Sequence, residues 1–232
     1  MLEVDDIHTS YGSSQVLFGV SLAAAAGEVV ALLGRNGVGK TTTLRCIAGL
    51  NPPHRGRVRW QGRDIAGLPA HRIARLGIGW VPEERRVFPE LSAWENLDIA
   101  RRPAAAGAGW SEARIYALFP DLEALAGRPG GVLSGGQQQM LSIARSLMLN
   151  PQLLLLDEPS EGLAPRVVES LADQILQLKQ SGMALILAEQ NVDLVLALSD
   201  RIHILEKGQV RYAGTPGALR QKRAVLEQYL TL

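Results

Sequence analysis

Short apolar runs, each closed by a turn former or a charged residue, recur at Val29 to Leu33, Ile78 to Val81, Leu153 to Leu156 and Ala184 to Ala188. Runs of this length without polar alternation predict strands buried on both faces. Segments of helical period lie between them. One is expected from about Lys40 to Leu50, stopped by Asn51-Pro52-Pro53. Another begins near Pro165, a favoured first helical position, and places Val168, Leu171, Ile175 and Leu178 on one face. Strands that alternate with helices imply a parallel α/β core.

The middle of the chain has a different period. From Ser92 to Leu149 the pattern is helical throughout, with Ser92 and Glu95 spaced as a capping box and a Pro/Ala/Gly stretch from Pro103 to Gly109 separating two helices. This predicts a helical subdomain over 85–150, inserted between core segments 1–84 and 151–232 of a single domain spanning 1–232. Near the end, Arg201 to Glu206 and Gln209 to Ala213 flank Lys207-Gly208, a hairpin signal, and a last helix is expected after Pro216.

Composition narrows the function classes. The 232 residues are 47% hydrophobic and 20% charged, enough for a substantial core. A net charge of +1 gives no global field for nucleic acid or an anionic surface, and no nucleic-acid partner is expected. The single cysteine, Cys46, excludes an internal disulfide and fits a reducing compartment. Met1 to Ser10 has no basic segment followed by an apolar run, so no signal peptide is expected. No apolar stretch approaches the roughly 18 residues a membrane span needs. The histidines His8, His54, His71 and His203 lack metal-ligand spacing.

Directly after Val29 to Leu33 comes Gly34-Arg35-Asn36-Gly37-Val38-Gly39-Lys40-Thr41, a phosphate-binding loop in the strand-loop-helix context it requires. Gly34, Gly37 and Gly39 let the backbone wrap phosphate oxygens, with Asn36 in the loop and the following helix N-terminus facing the negative charge. Lys40 supplies a point charge to the terminal phosphates, the Thr41 hydroxyl is placed for Mg²⁺, and Thr42 serves the loop or helix start.

The strand Leu153 to Leu156 ends in Asp157-Glu158-Pro159, so two adjacent carboxylates reach its C-terminal edge, where ligands sit in open α/β sheets. A nucleotide site would use Asp157 to hold Mg²⁺ and Glu158 to orient and polarise the attacking water. A solvated strand end would also accommodate such a pair. Upstream, Leu133-Ser134-Gly135-Gly136-Gln137 precedes an apolar-periodic helix read from Gln138 to Leu149, and Ser134 and Gln137 have capping-box spacing.

A phosphate-binding loop, then Leu-Ser-Gly-Gly-Gln, then an apolar strand ending Asp-Glu-Pro resembles the ATP-binding subunits of ABC transporters over essentially the whole chain. The resemblance implies a P-loop NTPase fold: a mostly parallel core sheet, an antiparallel N-terminal β subdomain and an inserted α-helical subdomain. It also implies ATP and Mg²⁺ as cofactors, ATP hydrolysis as the activity, and head-to-tail pairing with a second cassette, identical or homologous. In that pairing Ser134, Gly135, Gly136 and Gln137 would grip the ATP held by the partner's loop. Tyr11 would stack on adenine, and Ser160 to Ala164 would contact the partner.

Two positions depart from the commonest family pattern. Glu83, in Val81-Pro82-Glu83, stands where most members have Gln near Mg²⁺, and Gln190, in Ala188-Glu189-Gln190-Asn191, stands where most have a histidine touching the γ-phosphate. A carboxylate keeps the capacity to bind Mg²⁺, whereas Gln donates a hydrogen bond but carries no charge. Together with Arg85 to Pro89 and the segment ending Leu163-Ala164-Pro165, they resemble ATPases of branched-chain amino acid importers, whose close relatives import urea and short amides. Permease subunits, an indirectly engaged solute-binding protein and a place at the cytoplasmic face of the bacterial inner membrane follow as expectations. Val87, Phe88, Leu91, Trp94 and Leu97 are expected to contribute a groove for a permease helix, with Arg85 and Arg86 on its rim. A soluble non-transport ATPase would bring coiled coils or a second cassette, which are absent from this sequence; a module that has lost hydrolysis is at odds with Lys40, Asp157 and Glu158.

Overall fold

The computed structural model describes residues 1–102 and 109–230. Most of the expected linker from Pro103 to Gly109 therefore lies outside the described residues. The N-terminal part contains β1 (Leu2–Tyr11), β2 (Ser14–Ala24), β3 (Val29–Leu33), α1 (Lys40–Ile47), β4 (Arg55–Trp60), β5 (Arg63–Asp64), α2 (Ala70–Arg75) and β6 (Ile78–Val81). The helical stretch holds α3 (Ala93–Asp98), α4 (Glu112–Leu118), α5 (Pro120–Ala124) and α6 (Gly135–Leu147). The chain then forms β7 (Leu153–Asp157), α7 (Pro165–Gln180), β8 (Ala184–Glu189), α8 (Val192–Leu198), β9 (Arg201–Glu206), β10 (Gln209–Gly214), α9 (Pro216–Arg220) and α10 (Arg223–Leu230).

Two sheets result. A four-stranded antiparallel sheet has the order β2-β1-β4-β5, and a six-stranded sheet has the order β10-β9-β3-β8-β7-β6. In the larger sheet every pairing is parallel except that of the edge hairpin β9-β10. The hairpin turns through Lys207 and Gly208, both left-handed (φ 47° and 74°), as a tight turn between twisted strands requires.

Alternation along the buried strands divides the core into two layers. Val29, Ala31, Leu33, Leu154, Leu156, Leu185 and Leu187 face a cluster completed by helix residues such as Leu97, Ile115, Leu141, Leu171 and Ile175. Val30, Leu32, Leu153, Leu155 and Ile186 face the other way, onto Leu44 and Ile47 of α1 and onto Leu2, Ile7, Leu22 and Val58 of the antiparallel sheet. Each such valine, leucine or isoleucine side chain removed from water stabilises the fold by about 1.5–3 kcal/mol. The larger sheet is thus the middle layer, and its C-terminal edge stays accessible.

Several boundaries differ from the sequence expectation for local reasons. Helix α1 ends at Ile47 rather than Leu50 because Gly49 turns left-handed (φ 71°), and Leu50 and Asn51 donate back to the Arg45 carbonyl. Helix α6 starts at Gly135 rather than Gln138, since the Ser134–Gln137 capping box fixes Ser134 as the N-cap. The stretch from Ser92 to Leu149 is not helical throughout. Ser92 bridges to Pro129, Ala93 and Trp94 donate to the Arg128 and Ala126 carbonyls, and a 3₁₀ turn occupies Gly130–Val132. After Pro216 there are two short helices instead of one.

Candidate active site

Strand order alone brings the sequence-predicted residues together. Strand β8 lies between β3 and β7, so the loop after β3, the acidic pair after β7 and Gln190 after β8 leave the same edge side by side, with Glu83 beyond β6 next to β7. The glycine-rich loop runs from Gly34 into α1 through Gly39, the helix N-cap, at φ 110°. The backbone conformation favours glycine at Gly39, and a Cβ there would stand 2.7 Å from Leu17 Cδ2, which would have to shift.

A cleft of about 360 Å³ opens above this loop, lined by Tyr11, Val16, Asn36, Gly37, Gly39, Lys40, Thr41, Thr42, Glu83 and Glu158. Lys40 is almost wholly buried; its Nζ donates to the Gly34 and Arg35 carbonyls at 2.7 and 2.8 Å. Glu158 follows β7 in a left-handed conformation (φ 46°) that a non-glycine residue adopts at a cost. Its Oε1 meets Lys40 Nζ at 3.1 Å, and its Oε2 accepts from Gln190 Nε2 at 2.6 Å. Behind them Thr41 Oγ1 donates to Asp157 Oδ1 at 2.9 Å.

Burial pushes the Asp157 carboxyl up to about 6 despite the Thr41 hydrogen bond, with the Glu158 and Glu83 carboxylates adding to the rise. Because this value lies above the unfolded one, the negative charge costs stability as pH rises through about 6, and a bound cation would offset that cost. A hydroxyl and buried carboxylates are hard oxygen donors, which fit Mg²⁺. No cluster of three or more His, Cys, Asp or Glu arranged to cage a metal exists among the described residues.

Tyr11 closes β1 at the mouth of the cleft, half exposed, with its hydroxyl accepting from Arg45 Nη1 at 3.4 Å. Among the residues lining the cleft, none comes from Ser134 to Gln137. That segment begins α6, next to Gln138 of a second cleft lined by Glu83, Glu84, Arg85, Gln138, Glu161 and Gly162, which shares Glu83 with the first. Glu161 draws close to Glu158 and Glu83; burial and those two carboxylates raise its carboxyl above the ordinary range.

Three neighbours of the site, Glu189, Asn96 and Arg145, were not singled out by sequence reasoning, and Arg85 was read only as a rim charge. Glu189 is buried; its Oε1 accepts from Ser160 N and its Oε2 from Gln190 N and Asn191 N at 3.0–3.1 Å, which ties the two loops beside Glu158 together. Asn96 is fully buried and holds residues 88–92 by accepting from Phe88 N and donating to the Phe88, Leu91 and Ser92 carbonyls. Arg145 Nη2 donates to the Arg86 carbonyl at 2.7 Å, and Arg85 reaches the loop after the acidic pair. The only advance signal was a polar residue at an apolar helical position, visible for Asn96 and Arg145. Of the expected permease groove, Phe88 and Trp94 are 45% and 40% exposed, whereas Leu97 is 2% exposed and belongs to the core.

A family model described as ABC transporter matches residues 17–161, which include the loop, the Ser134–Gln137 segment and the acidic pair. The chain belongs to the ABC transporter family. It is an ATP-hydrolysing cassette. It is 40% identical to the high-affinity branched-chain amino acid transport ATP-binding protein BraG of Pseudomonas aeruginosa, covering 99% of both chains. It is 35% identical to the lipopolysaccharide export system ATP-binding protein LptB of Escherichia coli K12, covering 99% of this chain and 96% of that one. Among solved structures, an ATP-binding cassette of an ABC transporter in its ADP conformation matches with a TM-score of 0.83 at 27% identity, covering 98% and 97% of the two chains. A dimeric cassette in a post-hydrolysis state bound to ADP and Pi matches with a TM-score of 0.80 at 26% identity. Cassettes of this family bind ATP or ADP and work as dimers with transmembrane components. No helix of this chain, among the described residues, is long and apolar enough to cross a membrane.

Proposed function

We propose that the cassette is the ATPase of a branched-chain amino acid importer and that two cassettes close head to tail around each MgATP. One relationship carries this reading: Lys40 and Glu158 share one cleft, and no residue of the Ser134–Gln137 helix start lines it. Two half-sites that do not meet within one chain are completed by a second chain. The α6 N-terminus, with its free backbone N–H groups, then serves as the second anion grip.

In this mechanism Gly34, Asn36, Gly37, Gly39 and Thr42 line and shape the loop around the phosphates, and Tyr11 stacks on the base. Incoming phosphate competes for Lys40, which in this structure is held by Glu158 and two loop carbonyls. Drawing Lys40 onto phosphate frees a Glu158 oxygen to accept a proton from the attacking water. Gln190, donating at 2.6 Å, fixes the other oxygen and so the direction of that acceptor. Thr41, Asp157 and Glu83 would hold Mg²⁺, which supplies charge neutralisation on the transferring phosphoryl group. Loss of the γ-phosphate removes the bridge between cassettes and opens the pair.

Import is favoured over export because the 40% identity to BraG exceeds the 35–36% identity to LptB, both over 99% of this chain. The whole-length likeness to LptB supports export as the second reading. Working partners in the preferred reading are a second ATPase, identical or homologous, the permease subunits receiving Phe88 and Trp94, and through them, indirectly, a solute-binding protein; the cassette itself sits at the cytoplasmic face of the inner membrane. Proteoliposomes containing this cassette and the membrane subunits that copurify with it test the choice. ATP-dependent uptake of leucine, isoleucine or valine supports the proposal. Stimulation only by a urea or short-amide system would move the solute within the import class, and function only with a lipid exporter would overturn it.

A further inference from the structure

Arg85 is placed with unusual care. It and Arg86 both adopt left-handed backbone conformations (φ 62° and 46°), a strained pairing for two non-glycine residues. The strain is held by neighbours: Arg145 Nη2 donates to the Arg86 carbonyl at 2.7 Å, Arg86 Nε pairs with Glu84 Oε2 at 3.0 Å, and the Arg86 guanidinium lies 5.9 Å from the Trp80 ring centre. The outcome is a fixed direction for the Arg85 side chain. Its Nη2 donates to the Glu161 carbonyl at 3.1 Å, and its Nη1 lies so close to Gly135 that a Cβ there would stand 2.8 Å away. A guanidinium therefore sits against the first residue of α6, between Ser134–Gly136 and the loop after the acidic pair.

Electrostatics make that position informative. A helix N-terminus carries positive partial charge and repels a cation. The carboxylates of Glu83, Glu84 and Glu161 line the same cleft, yet the Arg85 hydrogen bond runs to a backbone carbonyl. A planar guanidinium beside exposed helix N–H groups is a donor set matched to phosphate oxygens. The nucleotide cleft meanwhile has Lys40 as its cation, Gln190 without charge and Glu83 with an added negative charge.

We infer that Arg85 is a phosphate-binding residue supplied across the dimer, its guanidinium joining the α6 N-terminus of one cassette on the γ-phosphate held by Lys40 of the other. This rests on the head-to-tail closure proposed above. Arg85 thereby provides, from the opposite chain, a positive charge that Gln190 does not provide.

Light scattering during MgATP titration of a Glu158→Gln cassette, alone and combined with Arg85→Ala or Arg85→Lys, tests the inference. Arg85→Ala should raise the MgATP concentration for half-maximal dimerisation by about tenfold, the loss expected for one charge-assisted phosphate contact, with Arg85→Lys in between. Affinity of the dilute monomers for a fluorescent ATP analogue, and their thermal unfolding, should match the parent, which separates a trans contact from a local structural defect. Mixing a Lys40→Ala chain with an Arg85→Ala chain, both carrying Glu158→Gln, leaves one site with both cations only if Arg85 acts across the interface. The mixed dimer should then form at lower MgATP than either parent does alone. A mixed dimer no better than its parents, or Arg85→Ala dimerising at the parental MgATP concentration, overturns the inference. Failure of the Glu158→Gln cassette itself to dimerise would instead overturn the closure reading beneath it.

Discussion

Lys40 Nζ and Glu158 Oε1 stand 3.1 Å apart with both side chains all but removed from solvent, at 2% and 5% exposure. The pair joins the cation of the phosphate-binding loop to the carboxylate at the end of β7, so the two groups that nucleotide chemistry requires also hold each other. A buried charge that loses its partner is costly, which makes exchange of one partner for phosphate the natural way to separate them.

Lys40→Ala removes a charge-assisted contact to phosphate worth roughly 1.5–3 kcal/mol. MgATP affinity of the isolated cassette, followed with a fluorescent analogue, should fall by about 10- to 100-fold. Unchanged affinity would remove Lys40 from the phosphate site.

Gln190→Ala leaves Glu158 Oε2 without the donor that fixes it at 2.6 Å. Turnover in the reconstituted complex should drop about tenfold, the order of one hydrogen bond to a charged group, while MgATP affinity stays near its parental value. A loss confined to affinity would assign Gln190 to binding rather than to the orientation of Glu158.

Asn96 satisfies four backbone groups of residues 88–92 from a fully buried position. Asn96→Ala strands several of them and should destabilise the cassette by about 3 kcal/mol in urea unfolding, with loss of any contact that depends on the Phe88 loop. A change below about 0.5 kcal/mol would mean that water replaces the amide without cost.

His203 stands on β9 opposite Leu32, and its Nδ1 has no hydrogen-bond partner. Burial pushes its pKa down from 6.5 to about 4, aided by Arg201. The unfolded chain takes up a proton below pH 6.5 that the folded chain refuses until about pH 4. Stability from this residue is therefore complete above pH 6.5 and lost on acidification across that window, by roughly 1.4 kcal/mol per pH unit and about 3 kcal/mol in all. Chemical denaturation of His203→Leu at pH 7 and pH 4.5 should show a smaller acid loss than the parent; an equal loss would place the proton uptake elsewhere.

Much of this site was legible because its elements are local in sequence. Gly34 to Thr41 directly follows an apolar strand, Asp157-Glu158 ends another, and Ser134 with Gln137 is a capping box whatever its function. These need only spacing and strand context. Arg85 was not legible as more than a rim charge, because its direction comes from backbone strain at residues 85 and 86 and from Arg145, 60 positions away in sequence order. Glu189 was quoted only as a neighbour of Gln190. Its bonds from Gln190 N and Asn191 N are local, but the one from Ser160 N depends on β8 lying beside β7, a topological fact that no local pattern encodes. Helix ends failed where capping overrode apolar period, at Gly49 and at Ser134.

Glu158→Gln keeps the shape of the side chain and removes its capacity to take a proton. Gel filtration of this variant with light-scattering detection, in MgATP and separately in MgADP, addresses closure most directly. A dimer in MgATP and a monomer in MgADP, together with absent turnover, is the expected result. A strictly monomeric variant at saturating MgATP would contradict triphosphate-driven pairing of the two half-sites.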